Sequence, residues 1–151
     1  MSESITVQEH LYDAAYQITE IVDFGIAMPA APSGKPLPPQ GLRFNFDWQG
    51  ELTGARIKGK IAGTNYVYTR ADGVTFINSQ GVLTTPEGDR IAVHTEGIST
   101  RQEGSPLFQE RENIQFYTAC SRYAWVNRLQ CWATGSVDLS TGRIAMKAYS
   151  A

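Results

Sequence analysis

Residues 42 to 48 read Leu-Arg-Phe-Asn-Phe-Asp-Trp, with a large apolar side chain at every second position and polar side chains between. Successive side chains of an extended chain point to opposite sides, so this period of two marks a strand with one buried face. After "GLRFNFDW" come "ARIKGKIAG", "NYVYTRADG", "VTFINSQGVLTT", "RIAVHTEG", "NIQFYTAC", "RYAWVNRLQCWATG" and the hairpin "VDLSTGRIAMKAY", with turn signals at Ala71-Asp72-Gly73, Pro86 to Asp89 and Ser140-Thr141-Gly142. Short strands punctuated every 8–12 residues or so build a sandwich or a barrel. Closure leaves no strand edge unpaired, so the expected fold is all-β: a single antiparallel closed β-barrel of about eight or nine strands. Gly54, Gly59 and Gly63 are expected to mark a bulge or bend at a barrel corner.

Two segments stand apart from this pattern. "VQEHLYDAAYQITEIVDFG" fits a helix through Val7, Leu11, Ala14, Ala15, Ile18, Ile21 and Val22, and fits a strand through the β-branched "ITEIV". Periodicity leans slightly to the helix. "MPAAPSGKPLPPQG", residues 28–41, holds five of the seven prolines and is expected to be a loop over the surface or across a pocket mouth. It comes too early to link two domains, so residues 1–151 form one domain.

Charge and composition narrow the partners. The net charge is -2, the pI is about 5.7 and there is no basic stripe, so no nucleic-acid partner is expected. No apolar run approaches the roughly 18 residues of a membrane span, so no membrane partner is expected either. "MSESITVQEH" has no charged n-region leading into an apolar stretch, and the expected location is cytoplasmic. Cys120 and Cys131 form no C-x-x-C pair and read as small buried hydrophobes in a reducing compartment. His10 and His94, the two histidines, lack metal-ligand spacing, and no P-loop, G-x-S-x-G or dinucleotide fingerprint occurs. Neither a metal nor a cofactor is expected.

Candidate site residues follow from strand parity. His94 shares a face with Glu96, and Asn78 and Gln80 share one on the preceding strand; with Ile91 and Val93 turned outward, His94 faces the lumen as a general acid or base. The bland alternative is a structural or rim histidine. Tyr123, Trp125 and Asn127 stand at i, i+2 and i+4, on one face of a strand, where the amide needs a partner that a ligand would supply; otherwise the rings fill the barrel and the Asn caps a turn. Arg111 could grip a carboxylate, or pair with Glu110 or Glu112 on the surface. Tyr66 and Tyr117 are further wall or polarising groups. The expected catalytic set is therefore His94, Tyr123 and Arg111, and the expected ligand-binding set is Tyr66, Asn78, Gln80, Tyr117, Trp125 and Asn127.

"GELTGARIKGKI", "YTRADGVTFINSQGVLTTPEGDRIAVHTEG", "FYTACSRYAWVNR" and "RIAMKAY", in that order, resemble domain of unknown function family 3237 over roughly residues 9 to 150. The resemblance implies a barrel similar to that of allene oxide cyclase, with the first segment a strand from about Leu11 to Val22. Gln80 and His94 stand where the family pattern leads one to expect Arg; if those Arg residues bind an anion in relatives, this chain takes a less charged ligand. The family supplies no reaction. Three readings remain open: a metal-free isomerase, cyclase or lyase acting on a small carbonyl or aromatic compound, a non-catalytic ligand-binding barrel, and a structural homodimer paired through outer apolar strand faces.

Overall fold

In the computed structural model, residues 9–27 and 36–150 are described. They form eight strands: β1 (Glu9–Asp23), β2 (Leu42–Thr53), β3 (Gly59–Thr69), β4 (Thr75–Thr84), β5 (Arg90–Arg101), β6 (Leu107–Tyr117), β7 (Cys131–Asp138) and β8 (Arg143–Ser150). Each strand pairs antiparallel with the next, and β8 returns to β1, so the sheet closes into an up-and-down barrel. The first segment is a strand. Its branched residues Ile18, Ile21 and Val22 pair across to β2, and sheet closure outweighs the weak helical period. "ARIKGKIAG" and "NYVYTRADG" are not two strands: residues 59–69 run as one, and 54–58 are the connection before it.

Alternation decides what fills the barrel. Tyr12, Ala14 and Tyr16 of β1 point inward with Phe44, Phe46 and Trp48 of β2, Asn65 and Val67 of β3, Ile77 and Ser79 of β4, and Val93 and Thr95 of β5. Phe108, Glu110, Glu112 and Ile114 of β6 complete the far wall with Ala133, Ile144 and Met146. An eight-stranded barrel is just wide enough for its side chains to meet across the axis. Neighbouring strands also stack their inward rings, and Tyr16 of β1 and Trp48 of β2 lie 4.5 Å apart between centroids. The indole needs room, and Gly63 supplies it: a Cβ there would fall 2.3 Å from the Gln80 carbonyl oxygen and 2.8 Å from the Trp48 ring. Gly63 thus marks a close approach in an unbroken β2–β3 register rather than the expected bulge.

One barrel end is plugged. A short 3-10 helix, Ser121–Arg128, connects β6 to β7 and buries Tyr123 and Val126. This overturns the expectation of a strand over 122–135, of which only 131–135 is extended. Side chains clamp the plug: Tyr123 Oη donates to Glu87 Oε2 at 2.9 Å, and the Arg56 guanidinium lies 3.9 Å above the Trp125 ring while holding Glu9 at 2.8 Å. The other end carries the β3–β4, β5–β6 and β7–β8 turns. β1 ends and β2 begins at that end as well; of the expected proline-rich loop, residues 28–35 lie outside the described residues, and Gly41 N–H closes a turn onto the Pro38 carbonyl at 2.9 Å.

Candidate active site

The lumen holds the most unusual chemistry among the described residues. Glu110 and Glu112 are alternate residues of β6, so both carboxyls enter the barrel from the same strand face and hydrogen-bond to each other. Burial raises both above the ordinary glutamate value of 4.5. Glu112 is raised further, because the neighbouring Glu110 charge and the hydrogen bond it donates to Glu110 both favour its protonated form. The same hydrogen bond partly offsets the rise at Glu110. The pair is thus a proton donor and a proton acceptor in contact, as when two carboxyls share a site.

Fixed donors surround it. Asn65 is buried, and its Oδ1 accepts the Asn78 backbone N–H at 3.2 Å. A backbone N–H only donates, so the oxygen is committed there and the Asn65 NH2 is what the side chain can offer the cavity it lines. Trp48 Nε1–H donates to Ser79 Oγ at 3.0 Å, which leaves the Ser79 hydroxyl proton to donate elsewhere. Burial first holds the Tyr12 and Tyr16 phenols protonated well beyond neutral pH, helped at Tyr12 by Tyr16 and then Glu112, and at Tyr16 by Glu112 and then Glu110.

Space in the lumen is small and divided. One cavity of about 30 Å³ lies against Tyr12, Tyr16, Trp48, Ser79, Glu110 and Glu112. A second, of about 20 Å³, runs toward the unplugged end past Phe44, Ile77, Ser99, Phe108 and Leu139. Each has room for a water or two. Phe46, Asn65 and Glu110 line both, so they form the partition. A larger hollow of about 650 Å³ against Glu51, Lys58, Lys60 and Pro86 is an open groove outside the barrel and gathers no buried acid or base.

The sequence-based site residues are distributed differently from expectation. Ile91, Val93 and Thr95 face inward, so His94 faces solvent, and so do Asn78, Gln80, Tyr66, Arg111 and Tyr117. The assumed parity was off by one residue, which inverts a whole strand. The sheet does bring some of them together, but on its outer surface: Gln80 pairs with His94, and His94 with Gln115. Gln80 and His94 being outside, their identity has no bearing on charge in the lumen. Arg111 does not pair with Glu110 or Glu112 at the surface, because they occupy the opposite face of β6. Tyr123, Trp125 and Asn127 lie in the plug rather than on one strand face. Asn127 finds its partners in the backbone: Thr118 N–H donates to its Oδ1 at 2.8 Å, and its Nδ2 donates to the Thr118 carbonyl at 2.8 Å. The cysteines are free, and burial pushes the Cys131 thiol up to about 11.

Sequence reasoning passed over Glu110 and Glu112. The signal was the run "QERENIQ", where two acids two residues apart share a strand face with Ile114 and Phe116, both buried. Among the described residues no group of three or more His, Cys, Asp or Glu could hold a metal ion, and no helix is long and apolar enough to cross a membrane.

No curated protein matches the sequence. Solved structures share the fold. A β-barrel-like protein from Acinetobacter baumannii AYE is 18% identical, with 99% of each chain covered and a TM-score of 0.74. A protein with unknown function from Clostridium acetobutylicum is 16% identical over 94% of this chain and 96% of that one, with a TM-score of 0.76. An enzyme from Penicillium herquei is 16% identical over 99% of each chain, with a TM-score of 0.60. The family model for protein of unknown function (DUF3237) matches residues 23–151, most of the chain and seven of the eight strands in full, and this protein belongs to that family.

Proposed function

We propose that the protein is an acid/base enzyme of the isomerase, cyclase or lyase type, acting on a small carbonyl or aromatic compound in the barrel lumen. The observation that carries this reading is the hydrogen-bonded Glu110–Glu112 pair inside a ring of fixed donors. The Glu110 carboxylate removes a proton from carbon or hydroxyl; the Glu112 carboxyl, or a donor such as Tyr16 or Asn65, protonates or polarises the oxygen where charge develops. A reaction that takes one proton and returns one leaves the pair with its proton on the other glutamate. The mutual hydrogen bond is the path by which it returns. Isomerisations and cyclisations have this balance, which is why they head the list. The Penicillium herquei enzyme offers a precedent for catalysis on this fold.

The test is turnover of small enones, unsaturated lactones and aromatic polyketides, with Glu110→Gln and Glu112→Gln beside the natural protein. The reading expects loss of at least about a hundredfold in kcat from either change. Ligand-induced thermal shifts with no turnover would instead favour the non-catalytic binding barrel.

The homodimer reading draws on a separate observation. Phe76 and Ile98 are exposed and paired in register on the outer face of β4 and β5, beside the Tyr68–Phe76 pair from β3. Sedimentation of Phe76→Asp against the natural protein tests it, and an unchanged monomer in both removes it.

A further inference from the structure

We infer that the lumen is built for an uncharged ligand with a hydrogen-bond-accepting oxygen, and that it excludes carboxylates. This deepens the preceding proposal and rests on the lumen being the working site.

The inference comes from the signs of the groups that meet there. Among the described residues, those lining the two lumenal cavities include two glutamates and no Lys, Arg or His. Cations of the central strands are on the outer face: Arg111 sits between Glu110 and Glu112 in sequence but faces solvent, and Arg43, Lys60 and Lys147 do the same. Arg101, near the unplugged end, lies 4.8 Å above the Phe108 ring and lines neither cavity. An anionic ligand would enter a poorly solvated space already holding a carboxyl pair, with no counter-charge among the described lining residues to meet it. The neutral groups, by contrast, are donors: the Asn65 NH2, the Ser79 hydroxyl freed by Trp48, and the protonated Tyr12 and Tyr16 phenols. A carbonyl or phenol oxygen satisfies them and a carboxylate adds only repulsion.

Three probes of one shape and different charge, each of three heavy atoms to suit cavities this small, separate the cases: formamide (neutral), formate (anionic) and formamidinium (cationic). Each is titrated at neutral pH into nitrogen-15-labelled full-length protein. The readout is the Trp48 indole N–H cross-peak, assigned with Trp48→Phe and located in the lumen by its bond to Ser79. The expected result is a saturable shift with formamide, binding of formate at least about tenfold weaker, and formamidinium no tighter than formamide. In Glu110→Gln/Glu112→Gln the formate penalty shrinks to within about threefold. Formate binding as tightly as formamide overturns the inference. So does formamidinium binding tightest, or a Trp48 signal that none of the three moves. Because binding is read and not turnover, charge selection without turnover of any carbonyl compound defeats the catalytic reading alone. Glutamate-dependent turnover with equal binding of formate defeats this inference alone.

Discussion

Glu110 and Glu112 turn their carboxyls toward the same lumenal cavity from two residues apart on one strand, inside a barrel whose other buried polar groups are mostly hydroxyls and amides. Two carboxyls so placed are stable only while they hold a proton between them.

That proton makes stability depend on pH. Both carboxyls are raised above 4.5 by burial, so from that value upward the folded protein binds more protons than the unfolded chain. Unfolding free energy therefore falls as pH rises through this window. Glu87, Asp72 and Asp138 are shifted the other way and act below 4.5, while the phenols act above 10. Glu112→Gln is expected to flatten the decline, melting a few degrees higher than the natural protein at pH about 8, the equivalent of about 1 kcal/mol, and no higher at pH about 5. Thermal melts across the range check it.

Phe46 separates the two lumenal cavities. Phe46→Leu is expected to join them, costing roughly 1–3 kcal/mol of stability and tightening binding of formamide to the lumen. Calorimetric unfolding and the Trp48 cross-peak report the two effects separately.

Gly63 lets the Trp48 ring lie across β3 to reach Ser79 on β4. Gly63→Ala places a methyl group against the Gln80 carbonyl and the indole, both closer than contact distance. The expected outcome is destabilisation of about 1–3 kcal/mol with a changed Trp48 environment, read by denaturant unfolding and tryptophan fluorescence.

His94 and Tyr123 provide contrast. His94→Ala alters an exposed residue of β5 and is expected to change stability by less than about 0.5 kcal/mol and leave turnover intact. Tyr123→Phe removes the donor to Glu87, a carboxyl held below its ordinary value by its own backbone amide first and by Tyr123 next. The stability tied to that lowering is present above 4.5 and lost as pH falls, so the variant loses a little stability at neutral pH and none in strong acid. Melting curves at the two pH values, with turnover assayed alongside, check both variants.

These contrasts show where the sequence could be read and where it could not. The alternation of Leu42 to Trp48, and turns such as that ending at Gly142 (φ +74°), carry the barrel without tertiary information. Which face of β5 looks inward is not fixed locally, because Ile91-Ala92-Val93-His94-Thr95 has a plausible inner face in either parity. Only closure of the sheet selects Thr95 over His94. The i, i+2, i+4 spacing of Tyr123, Trp125 and Asn127 imitates a strand; the helix is held by the paired bonds between Asn127 and the Thr118 backbone, and nothing in the local sequence marks Thr118 as their partner. Glu110 and Glu112 looked like surface partners of Arg111 because acids in an E-R-E run are usually solvated, and turning both into the lumen, with Glu110 buried, is a property of the closed barrel alone.

The central claim is the shared proton, and carbon-13 titration of the glutamate side-chain carboxyls tests it most directly. The predicted result is two carboxyl signals that titrate above 4.5 and respond to each other, with Glu112→Gln removing one and altering the other. If every glutamate carboxyl instead titrates independently at or below 4.5, Glu110 and Glu112 are separately ionised at neutral pH and the account is wrong.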